Sequence, residues 1–203
     1  KGGYFFEAQI DPDGTIASVK KLKLSNGSNN DATPAMSTCT PVIYNGRAYV
    51  GVSGSSQFGA YSGHNITVID ISNWEIAYSV PTQGYPQTSG VLTTAWEEET
   101  GKVYVYFFDN YTPGKLRALE DKPGQTRATL VSAESYTDKG TTKNYNTAYA
   151  LFTPVGDQAQ YAICSPIIDD YGTVYFKNDS AYLMAVGSTV EALEITRMPD
   201  ELT

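Results

Sequence analysis

Ile163-Cys164-Ser165-Pro166-Ile167-Ile168-Asp169-Asp170-Tyr171-Gly172-Thr173-Val174-Tyr175-Phe176-Lys177-Asn178-Asp179-Ser180-Ala181-Tyr182-Leu183-Met184-Ala185-Val186 reads as a short apolar strand, an Asp/Gly turn, and a second strand alternating around Val174 and Phe176. An Asn/Asp turn and a third apolar strand complete it. Period-2 runs separated by such turn formers make a β-meander.

The same pattern occurs twice upstream. Cys39-Thr40-Pro41-Val42-Ile43 leads through Tyr44-Asn45-Gly46 into Arg47-Ala48-Tyr49-Val50-Gly51-Val52, with further strands expected at 65–71 and 74–80. Thr88-Ser89-Gly90-Val91-Leu92 leads through the acidic turn Glu97-Glu98-Glu99-Thr100-Gly101 into Lys102-Val103-Tyr104-Val105-Tyr106-Phe107-Phe108, followed by strands expected at 116–120 and 126–131. The copy that begins at Ile163 is expected to end with a fourth strand at 190–196. Overlaid, the copies share Gly46-Arg47-Ala48-Tyr49, Gly101-Lys102-Val103-Tyr104 and Gly172-Thr173-Val174-Tyr175. Each glycine permits a turn with positive φ, and each tyrosine follows on the strand that leaves it. A four-stranded unit recurring every roughly 40 to 50 residues is the sequence form of a propeller blade.

The remaining segments are ordered around these units. Residues 4–24 form two strands around the turn Asp11-Pro12-Asp13-Gly14, and the lysines of the second suit an exposed edge. Residues 25–33 and 53–63 are polar or Gly/Ser-rich loops, and 132–160 is a long insertion. The expected fold is therefore all-β: a propeller of four-stranded antiparallel blades, with about three and a half blades in this chain. It comprises a half blade at 4–24, blades at 39–80, 88–131 and 161–196, the insertion at 132–160 and a tail at 197–203. An incomplete ring leaves edges, so the remainder of a larger propeller or a second copy is an expected partner.

The (Ser/Thr)-Pro step before an apolar strand, the glycine turn, x-Val-Tyr-x and a strand ending near Ala-Val resemble blades of the PQQ-like (pyrroloquinoline quinone-like) β-propeller superfamily. Residues 163–187 match best, then 39–70, then 88–120. The resemblance implies a scaffold, and a non-enzymatic bacterial surface protein as its setting. Quinoprotein enzymes of that superfamily carry an adjacent Cys-Cys pair over the quinone and tryptophan at a fixed blade position. This sequence has neither, so the resemblance brings no quinone with it.

With 203 residues, 41% hydrophobic and 18% charged, the chain has the composition of a folded protein with a sizeable core. A formal net charge of -8 weighs against nucleic acid and anionic membrane surfaces, which attract basic patches. No apolar run reaches the roughly 18 residues that span a bilayer, so no membrane insertion is expected. The chain begins at Lys1 rather than Met, and an upstream portion carrying any targeting signal is expected. Loops rich in Gly, Ser, Thr, Asn and Tyr, with few charges, suit an extracellular or cell-surface location.

Candidate chemistry is sparse. Cys39 and Cys164 hold equivalent positions in two units and read as buried core thiols, with a disulfide or a functional thiol as the alternative. His64, the single histidine, reads as a surface residue of a Gly/Ser loop. Asp169-Asp170, Asp109-Asn110 and Asn178-Asp179 supply oxygens at turns, where calcium is conceivable, but turn formation explains them equally and no cofactor is expected. Glu97-Glu98-Glu99 reads as a solvated loop rather than one side of a glycosidase carboxylate pair. Trp74 and Trp96 read as strand residues filling the spaces between blades, with a sugar-stacking platform shared with the many tyrosines as the alternative. The candidate recognition surface is the insertion, with Tyr136, Tyr145 and Tyr149 as ligand-binding residues, because long loops on rigid scaffolds are where binding concentrates; a structural flap is the alternative reading of the same segment. The functional expectation is a non-catalytic binding or interaction module for a protein or glycan partner. A fragment of a glycan-acting or degenerate quinoprotein enzyme and a protein assembly scaffold are the alternatives.

Overall fold

Along Arg47-Ala48-Tyr49-Val50-Gly51-Val52 every residue is buried, although alternation sends Ala48, Val50 and Val52 to one side and Tyr49 to the other. A strand covered on both faces lies inside a stack of sheets, and the rest of the chain builds that stack. The computed structural model describes residues 3–24, 35–54, 63–138 and 140–187. The loop at 25–33, most of that at 53–63, the strand expected at 190–196 and the tail at 197–203 lie outside the described residues.

The described chain is all-β and antiparallel, with short helical turns. Strands β1 (Tyr4–Ile10) and β2 (Ile16–Lys23) form a hairpin. Strands β3 (Val42–Tyr44), β4 (Arg47–Val52), β5 (Asn65–Asp70) and β6 (Glu75–Pro81) form a four-stranded sheet in chain order. The next sheet holds β7 (Val91–Thr93), β8 (Val103–Phe108), β9 (Leu116–Asp121), β10 (Val131–Asp138) and β11 (Thr141–Phe152) in the order β10-β11-β9-β8-β7. Strands β12 (Ile167–Ile168), β13 (Val174–Lys177) and β14 (Leu183–Val186) form a three-stranded meander.

Three apolar layers join these four sheets in chain order. Phe5 packs with Val50, Val52 and Ile69 between the first hairpin and the second sheet. Tyr49, Val68 and Tyr78 meet Val105, Phe107 and Leu119 between the second and third. Phe108 and Leu116 meet Val174, Phe176 and Met184 between the third and fourth. Each large aliphatic or aromatic side chain removed from water in these layers contributes about 1.5–3 kcal/mol before chain entropy is counted.

The internal repeat has a three-dimensional counterpart. Gly46, Gly101 and Gly172 have φ of 73°, 69° and 81°, the left-handed region open to glycine. Tyr49, Tyr104 and Tyr175 all donate their hydroxyls to carboxylates, of Asp121 at 2.9 Å, Glu120 at 3.0 Å and Asp169 at 3.0 Å. The cysteines also correspond: the Cys39 thiol accepts from the Gly51 N–H at 3.1 Å, and the Cys164 thiol donates to the Lys177 carbonyl at 2.6 Å. Gly51 and Lys177 occupy the same place after their turn glycines. Both thiols are free and half-buried rather than fully buried, each at the margin of a core layer.

Several expectations require correction. The insertion at 132–160 is not a loop: it contains the hairpin β10–β11, and β11 continues into the sheet beside β9. It takes the place expected for 126–131, because Thr141–Phe152 is rich in Thr, Tyr and other β-formers. Its far half is polar on both faces, so no apolar alternation announces it. Glu97–Thr100 is a one-turn helix, α1, ended by Gly101. Neither tryptophan lies in a strand. Trp74 sits in the turn before β6 at φ 57° and packs on Phe5, whereas Trp96 caps α1 and is exposed. His64 is 1% exposed rather than at the surface. The chain turns inward at Gly63, stacking the imidazole on Tyr85, and Nδ1 accepts from the Gly54 N–H at 3.3 Å.

Candidate binding cleft

Residues at α1 on the side of the third sheet and at the β12–β13 turn of the fourth line a common space. A cleft of about 350 Å³ opens between them. One wall is Trp96, Tyr106 and Leu151; the other is Ile168 and Val174, overhung by Asp170 and Tyr171.

Local hydrogen bonds set both aromatic rims. On the third sheet, the Trp96 carbonyl accepts from the Thr100 N–H at 2.9 Å and its hydroxyl at 2.6 Å, which holds the helical turn closed beneath the indole. On the fourth, the Asp169 carboxylate accepts from the N–H groups of Tyr171 and Thr173, both at 2.9 Å, and from the Tyr175 hydroxyl. The Thr173 backbone bond is the largest of the effects that hold the Asp169 carboxyl below the usual range. The turn presents Asp170 and Tyr171 outward on a fixed backbone. Trp96 is 53% exposed and Tyr171 76%. Tyr106 is half-buried behind them, and burial pushes its hydroxyl pKa up. Among the described lining residues Asp170 is the one charged side chain.

Tyr136, Tyr145 and Tyr149 lie elsewhere, on the β10–β11 hairpin. Tyr136 pairs with Lys143 and Tyr145 with Glu134, and alternation places all three tyrosines on one face of the hairpin. Tyr136 and Tyr145 are half-buried, Tyr149 is 37% exposed, and none of them lines the cleft. Tyr145 borders a shallow depression of about 320 Å³ with Glu134, Asn144 and Asn146.

The charged groups outside the cleft serve packing. Arg117, wholly buried, donates to Asp109 at 2.8 Å and to Glu134 at 3.0 Å, and Lys115 reaches Glu134 at 2.8 Å. This network fastens the hairpin to β9. Asp109 also accepts from Gly84 and Lys115 backbone N–H groups, so its oxygens close the chain locally. Asn178 does the same, accepting from the Ser180 N–H at 3.1 Å. Glu97 accepts from the Tyr44 hydroxyl at 2.6 Å, which anchors α1 to the neighbouring sheet. No group of three or more His, Cys, Asp or Glu side chains converges as a metal site among the described residues.

Tyr106 and Tyr171 are the cleft residues that sequence reasoning did not single out. Tyr171 carried a usable signal: an aromatic in an Asp/Gly turn has no core to enter. Compared with known protein families and with curated proteins, the chain matches none.

Proposed function

We propose that the chain is a segment of a PQQ-like β-propeller and works as a non-catalytic binding or interaction module of a secreted or cell-surface bacterial protein. The stacking of sheets in chain order, with equivalent glycine, tyrosine and cysteine contacts, supports the propeller reading. The cleft carries the functional one. It is lined by the exposed aromatic side chains Trp96 and Tyr171 beside an aliphatic wall, as ligand sites commonly are. A glycosidase needs two opposed carboxyls, and among the described lining residues Asp170 is the one carboxylate.

The test is a ligand-observed NMR screen of the chain against neutral oligosaccharides, short peptides and small organic ions, with each mixture followed for turnover. Binding that weakens in Trp96→Ala and Tyr171→Ala, without product, supports the module. Product formation abolished by Asp170→Asn overturns it in favour of an enzyme.

A second reading, an assembly scaffold, is favoured by the outer faces of the stack. Phe6 and Ile10 on β1, and Ile167 and Leu183 on the last sheet, are exposed apolar side chains. In a stack whose inner faces are covered, such faces suit another sheet.

A further inference from the structure

We infer that the cleft takes an organic cation bearing apolar substituents, of the quaternary ammonium type. This rests on the cleft being a binding site and specifies its ligand class.

Three features of the lining converge. The first is aromatic: Trp96 and Tyr106 from the side of the third sheet and Tyr171 from the fourth all line the cleft, Trp96 and Tyr171 as exposed side chains. Ring faces carry negative quadrupole density and attract cations, indole most strongly. The second is charge. Among the described lining residues Asp170 is the only charged one and there is no Lys, Arg or His, so the described lining disfavours anions and favours cations. A formal charge of -8 on the whole chain adds attraction at long range.

The third feature is a mainly aliphatic lining, in which the hydrogen-bonding side chains among the described residues are those of Thr93, Trp96, Tyr106, Asp170 and Tyr171. Most of the lining is Ala, Leu, Ile, Val or Gly, and the Thr93 hydroxyl already accepts from the Ala95 N–H at 3.2 Å. A saccharide brings many hydroxyls whose desolvation has to be repaid by partners. A primary ammonium brings three N–H donors with the same demand. A quaternary ammonium has no N–H to satisfy, its methyl groups suit aliphatic and aromatic walls, and its charge is met by Asp170 and the rings. A neutral apolar ligand would leave the carboxylate unused. The volume of about 350 Å³ lies in the range of small-molecule pockets.

The decisive comparison is between choline and its neutral isostere 3,3-dimethyl-1-butanol, titrated into the full chain at constant ionic strength and followed by saturation-transfer NMR and calorimetry. Choline is expected to bind about tenfold or more tightly than the isostere. Asp170→Asn and Trp96→Ala are expected to weaken choline about fivefold or more while circular dichroism stays unchanged. Equal binding of choline and isostere overturns the cation inference and leaves the cleft as a binding site. Choline binding that both substitutions spare places the site elsewhere and also overturns it. Binding of oligosaccharides or peptides without choline overturns this inference alone, whereas failure of every probe overturns the binding module too.

Discussion

Arg47 on β4 donates from Nε to Asp121 Oδ2 on β9 at 3.0 Å, so a buried ion pair crosses the layer between the second and third sheets. Arg47 Nη2 adds a bond to Oδ1 at 3.1 Å, and the hydroxyls of Tyr49 and Tyr78 donate to the same carboxylate at 2.9 and 2.7 Å. Burial first, and then the Asp121 charge, pushes both tyrosine pKa values far up, so both hydroxyls stay protonated and donating. Asp121→Ala leaves two buried hydroxyls without that acceptor and leaves the buried Arg47 guanidinium with the Gln125 carbonyl at 2.7 Å and the Asp70 carboxylate at 3.8 Å. It is expected to cost about 3–5 kcal/mol in urea unfolding. The double variant Arg47→Met/Asp121→Leu removes both charges and is expected to be more stable than the single one. Equal destabilisation by single and double variants would show that packing, not charge compensation, sets the cost.

Glu134 predicts an acid limb of stability. Burial pushes its carboxyl pKa up, but hydrogen bonds and charge from Arg117, with Lys115 beside it, outweigh that and leave it below the usual range. A folded pKa below the unfolded value of about 4.3 means that this contribution is fully present above that pH and fades as pH falls through the folded pKa. Stability measured between pH 6 and 3 should decline, and Glu134→Gln should lose stability at pH 6 while flattening the decline. An unchanged slope in Glu134→Gln would assign acid sensitivity to other carboxylates.

Gly51 tests how closely the chain returns over its own sheet. A Cβ there would lie 1.9 Å from the Pro86 carbonyl oxygen, on the segment that links the second sheet to the third. Backbone, unlike a side-chain tip, cannot rotate away, so the link has to shift. Gly51→Ala is expected to destabilise by about 1–3 kcal/mol, as overpacking does. Gly101→Ala meets no neighbour, and its cost comes from the positive φ of 69° alone. Thermal melts of the two variants separate close approach from backbone conformation.

These residues also show what was legible. Gly46, Gly101 and Gly172 could be read because a positive-φ turn selects a particular residue. The apolar strands beside them could be read because one period-2 pattern matches one buried face. The outer half of β10–β11 could not, since alternation of Thr, Asn and Ser looks the same whichever face it turns inward. His64 was misread because its burial is decided by the path of the chain and not by neighbours in sequence. The cleft escaped for a related reason: Trp96 and Tyr171 belong to different sheets, and only the packing of those sheets makes them two rims of one site. For Tyr136, Tyr145 and Tyr149 the argument from loop length gives way, because all three are paired in strands.

The exposed apolar side chains at the two ends of the described stack lead to a prediction about mass. On the first hairpin, Tyr4, Phe6 and Ile10 are exposed on the face opposite Phe5. On the last sheet, Ile167 and Leu183 are exposed opposite the core residues Val174 and Met184, and Tyr175 shares their side of the strand. Tyr49 and Tyr104, its equivalents, both point toward the next sheet of the stack. These two end faces differ from each other, so contact between them is head-to-tail: it closes a ring of copies or continues as an open chain. Under the scaffold reading, light scattering on this chain gives a mass that rises with concentration. Phe6→Lys and Leu183→Lys, at opposite ends of the contact, should each weaken association by roughly tenfold to a hundredfold, since each removes about 1.5–3 kcal/mol of apolar burial. A mass plateau at two copies marks a closed pair, and a continuing rise marks an open chain. A constant monomer mass, unchanged by either lysine, rejects association through these faces and leaves the cleft as the site of recognition.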